Sequence, residues 1–117
     1  MEFIRGDTFY ITRQLTDKDG NALILNKETD EISLTVRENI ESEIVIEKHI
    51  EDFEITDDGT YRVILHPKDT ENLEFGVYEY DMEIRIGKDE KNPFVRTIET
   101  GTVRLLPYDY SRPKEVD

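Results

Sequence analysis

The sequence predicts an all-β protein, an antiparallel two-layer sandwich of about seven strands with one short helical turn. Three observations predict it. Tyr78, Tyr80, Met82, Ile84 and Ile86 alternate with Glu79, Asp81, Glu83 and Arg85, a period of two that makes a strand with one buried and one wet face. Shorter stretches with the same alternation recur along the chain, separated by Gly, Asp-Gly and Pro signals. All six glycines fall at expected strand boundaries, which is where a chain without a Cβ is most useful. The strand count and spacing are those of an immunoglobulin-like sandwich, with a small closed barrel as the alternative. The cysteine pair and strand tryptophan of antibody domains are absent, so the likeness is one of architecture.

Taken in order, Phe3-Ile4 forms a short strand and Gly6-Asp7 a turn. Phe9, Ile11 and Leu15 then alternate with Tyr10, Thr12 and Gln14. Arg13 interrupts the inward series, which suggests an edge or a strand end where a charge reaches water and discourages edge pairing. Residues 17 to 21, DKDGN, are a turn cluster, and Leu23-Ile24-Leu25 packs briefly. Ile32, Leu34 and Val36 mark the next strand. Residues 38 to 43 could begin a helix, but the β-branched Ile44-Val45-Ile46 favours a hairpin. Ile50, Phe53 and Ile55 continue the apolar series. Tyr61, Val63 and Leu65 form a strand after Asp58-Gly59, and Pro67 ends it by removing a ladder donor. PKDTENL, from Pro67, reads as one helical turn with Pro at its first position. The strand over residues 77 to 86 follows, then the polar loop KDEKNP. Phe94 to Glu99 and Thr102 to Leu106 are expected to form a last hairpin turning near Gly101. Residues 1 to 107 make a single domain, and the charged, proline-containing residues 108 to 117 read as a flexible tail.

Composition excludes several classes of function. With 28 acidic against 15 basic residues the net charge is −13, which opposes nucleic acid and anionic membranes because binding either needs cations to displace counterions. No apolar run approaches the roughly 20 residues of a spanning helix, and the N-terminus lacks the regions of a signal peptide. The chain reads as soluble and made in the cytoplasm. Without cysteine there is no disulfide or thiolate metal site. Stability must come from packing.

The residues that could carry chemistry are few. Asp17, Asp19, Asn21 and Glu28 occupy positions one, three, five and twelve of an EF-hand-like calcium loop. Ala22 stands where that loop turns on Gly, however, and both flanks read as strands, so an Asp-Gly turn explains the same residues. Arg5-Gly6-Asp7 is the integrin-recognition tripeptide and also ordinary turn chemistry. His49 and His66 are the only histidines and lack a partner at ligand spacing. Ser33, Ser42 and Ser111 sit in no nucleophile elbow. Glu79, Asp81 and Glu83 share an outward strand face next to Arg85, which suits a solvated ladder better than paired acid and base. The glycines leave no phosphate-cradling loop. No catalytic, cofactor-binding or metal-binding residue is assigned. Tyr10, Tyr108 and Tyr110 lie outside the inward series and are the candidate partner contacts, able to anchor a protein or stack on a sugar.

A further signal lies in the order of several weak motifs. These are Gly6-Asp7-Thr8-Phe9, the D-x-D-G-N turn at Asp17, the D-G-T strand ending in Pro67-Lys68-Asp69-Thr70, then Gly76-Val77-Tyr78-Glu79-Tyr80-Asp81, and Thr97-Ile98 with Gly101. In this order they resemble small tail-associated proteins of phages and prophages of Gram-positive bacteria, as in the N-terminal region of baseplate upper proteins. The resemblance implies a non-enzymatic structural or interaction module of the tail or baseplate, made in the bacterial cytoplasm and carried in the virion. Its implied partners are other tail proteins or copies of itself. It supplies no catalytic residue. The alternative function on the same fold is a ligand-binding module for carbohydrate or calcium.

Overall fold

The computed structural model describes residues 1–107; the expected tail lies outside them. Eight strands form two sheets that curl over one core as a half-barrel. They are β1 (Glu2–Ile4), β2 (Phe9–Gln14), β3 (Glu31–Arg37), β4 (Ile44–Lys48), β5 (Phe53–Ile55), β6 (Thr60–Leu65), β7 (Gly76–Ile86) and β8 (Phe94–Leu106). A 3₁₀ turn at Ile50–Asp52 precedes β5, and a single helical turn, α1 (Pro67–Thr70), follows β6. The larger sheet runs β1-β8-β7-β3-β4 and the smaller β2-β6-β5.

The alternating segments become strands because each has one face to bury. On β3, Ile32, Leu34 and Val36 are buried between half-exposed neighbours, and β7 buries Tyr78, Tyr80, Met82 and Ile84 in the same way. Opposite them the smaller sheet contributes Ile11, Phe53, Tyr61, Val63 and Leu65. Each such side chain contributes about 1.5–3 kcal/mol when fully withdrawn from water. α1 carries the chain from the smaller sheet at β6 to the centre of the larger at β7. Its first turn is satisfied by Asp69, whose Oδ2 accepts the His66 N–H at 2.7 Å and the Lys48 ammonium at 3.0 Å.

Several expectations are corrected. The sandwich is not wholly antiparallel: β1 pairs with β8 in parallel, Glu2 to Ile4 alongside Arg104 to Leu106. There is no hairpin at Gly101. β8 runs unbroken from Phe94 to Leu106, with Gly101 mid-strand opposite Tyr80. A side chain there would place Cβ 2.8 Å from Tyr80 Cε1, so the missing Cβ accommodates a ring instead of a turn. The last hairpin is β7–β8, closed by the loop over 87 to 93. Arg13 lies on an edge strand, as its break in alternation suggests, but its part-exposed guanidinium is turned to Glu99 on the other sheet and not only to water. The β3–β4 hairpin forms as expected, although Ile44 and Val45 remain partly exposed and a register shift follows Val36.

Candidate interaction surface

The two sheets are joined on one side and parted on the other. On the joined side the chain passes from β4 through the 3₁₀ turn directly into β5. On the other side β2, an edge strand, faces β8 across a seam, and the short edge strand β1 covers only one end of β8.

One polar cluster ties the seam at its middle. Arg13 on β2 reaches Glu99 on β8 with two parallel hydrogen bonds, Nε to Oε1 at 2.7 Å and Nη2 to Oε2 at 3.0 Å, the bidentate geometry that suits guanidinium and carboxylate. The Tyr80 hydroxyl donates to the same Oε2. The Arg13 hydrogen bond holds the Glu99 carboxyl below the usual range despite partial burial, and Tyr80 reinforces it. Burial pushes the Tyr80 phenol upward, and its bond to Glu99 adds to that. Arg13 was visible in the sequence as a break in alternation. Glu99 was not, because an expected turn at Gly101 concealed that it faces inward.

Hydrogen-bond direction shows which backbone groups line the seam. The Met1 amine donates to Thr102 O at 2.9 Å, Arg104 N–H to Met1 O at 2.8 Å and Arg5 N–H to Leu106 O at 2.9 Å. Residues 102, 104 and 106 therefore turn their peptide groups to the outer edge of β8, and alternation extends this to Thr100. A register shift between Met82 and Glu83 leaves Ile98 as an extra residue, after which Thr97 and Val95 face outward. β1 and the Met1 amine before it cover the edge from 102 to 106. On β2, Leu15 N–H donates to Gly59 O at 2.9 Å, so Tyr10, Thr12 and Gln14 present the free edge. Arg13 Nη1 takes the Thr12 carbonyl at 2.9 Å, which blocks one position for an incoming strand.

Beyond the Arg13–Glu99 tie the seam widens into a groove of about 480 Å³. Its floor is Leu15, Leu23, Ile84, Ile86, Phe94 and Ile98, and its rim carries Gln14, Asp17, Lys18 and Arg96. Phe94 is 54% exposed and Val95 45%, large apolar residues at the end of a strand that outruns the core. Tyr61 and Asp30 hold the flanks. The Tyr61 hydroxyl donates to Leu23 O at 2.7 Å and accepts from Leu25 N–H at 2.9 Å. Asp30 accepts the N–H groups of Asn26 at 2.8 Å and Gly87 at 3.0 Å, and the Thr29 hydroxyl at 3.2 Å. Burial pushes the Asp30 carboxyl up, but these bonds outweigh it and hold the group below its ordinary value.

The residues singled out in the sequence are dispersed. Tyr10 is exposed at the β2 edge with the Arg62 guanidinium 5.0 Å from its ring centre; Tyr108 and Tyr110 lie outside the described residues. Asp17 turns Oδ1 onto the N–H groups of Asp19 and Asn21 at 2.9 and 3.0 Å, closing a turn that Thr16 and Ala22 bridge. Arg5 stacks 3.9 Å from the Phe75 ring centre and donates to Leu73 O, while Gly6 N–H donates to Thr70 Oγ1. The tripeptide is thereby bound into the α1–β7 connection. His49 lies between carboxylates, with Nε2 3.0 Å from Glu47 and Nδ1 3.8 Å from Glu31. Asp81 accepts the Thr35 hydroxyl and faces Arg37, and Glu83 faces Arg85, the ladder that period-two spacing implies.

No protein-family model matches the chain, and no curated protein matches it.

Proposed function

We propose that this chain is a non-enzymatic interaction module of a phage or prophage tail or baseplate, working through strand edges and not through a catalytic pocket. The observation that carries the reading is the seam, where two incompletely paired edges flank an apolar groove while His49 and the carboxylates of Asp69, Asp81, Glu83 and Glu99 sit in structural pairs. Open edges with apolar side chains are costly to leave exposed and are natural contacts for another chain. The ordered motifs described above supply the tail or baseplate context. The immunoglobulin-like description belongs to the same proposal, supported by antiparallel ladders in two facing sheets. High net charge of one sign on the remaining surface would disfavour wrong contacts.

Light scattering behind size exclusion at rising protein concentration, with and without calcium, tests the reading. The expected result is a defined oligomer, indifferent to calcium, in which the amides of Val95, Thr97 and Thr100 exchange more slowly than in the dilute monomer. A monomer at every concentration whose melting temperature rises with calcium would overturn it in favour of ligand binding.

A further inference from the structure

The inner face of the larger sheet carries a cation without a partner. Arg96 on β8 pairs with Ile84 on β7, and Phe94 with Ile86. Residues directly opposite in an antiparallel ladder share a face. Ile84 is buried, so Arg96 and Phe94 lie on the face turned toward the smaller sheet, and both are exposed where that sheet ends. Arg13, opposite buried Tyr61, stands in the same situation on β2, but there Glu99 neutralises the guanidinium. Arg96 has no such carboxylate. Among the described residues its side chain makes no ion pair or hydrogen bond, and the same holds for Lys18 on the β2 side of the groove. Asp17 is the one acidic residue of the lining among the described residues, and its Oδ1 is taken by two N–H groups. In a chain of net charge −13, two unpaired cations over an apolar floor reverse the prevailing sign.

The groove also limits what it can take. The Arg13–Glu99 pair closes one end, and the extra residue at Ile98 breaks the regular ladder of β8 beside it, so an extended strand cannot run through. Its volume of about 480 Å³ falls within the range of about 300–1,000 Å³ typical of small-molecule sites. We propose that the groove binds a small aliphatic carboxylic acid, its head held by Arg96 and Lys18 and its apolar body laid over Ile84, Ile86 and Phe94. Guanidinium matches carboxylate with two parallel hydrogen bonds, and each methylene withdrawn from water raises the binding constant by about fourfold. The site adds a ligand to the groove and does not depend on whether the strand edges bind another chain.

The full chain titrated with decanoate below its micelle concentration, followed by amide NMR, tests it. Decanol and decyltrimethylammonium serve as neutral and cationic probes of the same chain length. Saturable binding is expected, shifting the amides of Ile84, Phe94 and Arg96 and not those of β5, and about tenfold tighter for decanoate than for decanol. Arg96→Gln removes a charge that has no partner. It should raise the decanoate dissociation constant about tenfold and leave both decanol binding and the melting temperature unchanged. Equal affinity for the three probes, or an Arg96→Gln variant that binds decanoate as tightly as the wild type, would overturn the anion site. Decanoate that shifts no groove amide would overturn the site altogether. Groove amides that shift with protein concentration alone and ignore decanoate would overturn it in favour of a second copy as the occupant.

Discussion

Gly101 shows how one residue can mislead a reading of pattern. A glycine between two alternating apolar stretches is turn chemistry by default, yet here it lies in an extended strand. It is absent from the glycines with positive φ. Its role is defined by Tyr80, whose ring occupies the space a side chain would need, with Cε1 at 2.8 Å and the hydroxyl at 2.9 Å from a built Cβ. Gly101→Ala is therefore expected to lower unfolding free energy by about 1–3 kcal/mol through overpacking. Thr100→Ala, on the exposed side of the same strand, should change it by less than about 0.5 kcal/mol. Urea denaturation of the two variants checks this; equal stabilities would mean that the Tyr80 ring moves aside freely. Arg13 carries the complementary lesson. Its break in alternation was legible, but its direction was not, because an inward charge depends on a partner 86 positions away.

At the level of elements, the strands with the cleanest alternation were the most legible. β3, β6 and β7, together with the α1 connector, lie where apolar periodicity and proline chemistry place them. What escaped was pairing between distant segments: the parallel docking of β1 on β8, and the attachment of the β3 approach to the β7–β8 hairpin through Asp30. The latter leaves no sequence signal, since an Asp before a strand is ordinary turn chemistry. Asp30 is 8% exposed, and removing its carboxylate would strand the Asn26 and Gly87 amides. Asp30→Ala is expected to cost about 1–3 kcal/mol for two part-buried donors left without their acceptor, and to speed amide exchange at Gly87 more than at β6. Uniform acceleration across both sites would show that the link is not local. The candidate surface was legible only in its parts. Tyr10 could be named as outward-facing, but the groove needs β2 and β8 side by side, and strand order is not written in periodicity.

For the molecule as a whole, the shifted groups predict a stability maximum bounded on both sides by pH. Asp30, Asp69 and Glu99 have folded-state values below the ordinary carboxylate range. Burial pushes Asp30 and Asp69 up but their hydrogen bonds prevail, whereas at Glu99 the Arg13 bond is the larger influence. Each contributes stability that is present above its unfolded value, near about 4, and is lost as pH falls through the depressed folded value. Burial raises the phenols of Tyr61, Tyr78 and Tyr80, so their contribution is present below about 10 and declines as pH rises beyond it. Melting temperature measured across pH should fall at both extremes, and Glu99→Gln should flatten the acid limb. An acid limb unchanged in that variant would remove Glu99 from the account. The parallel pairing of the first strand with the last has a mechanical consequence. A pull applied through residue 1 in one direction and through residue 107 in the other slides β1 along β8, loading the bonds from the Met1 amine, Arg104 N–H and Arg5 N–H together. Strands peeled from a hairpin end break their bonds one at a time, whereas strands sheared in parallel must break them at once. Shear along β1 and β8 should therefore need a higher force than peeling at the β7–β8 turn, which pulling through residues 1 and 107 would check against pulling through two residues flanking that turn.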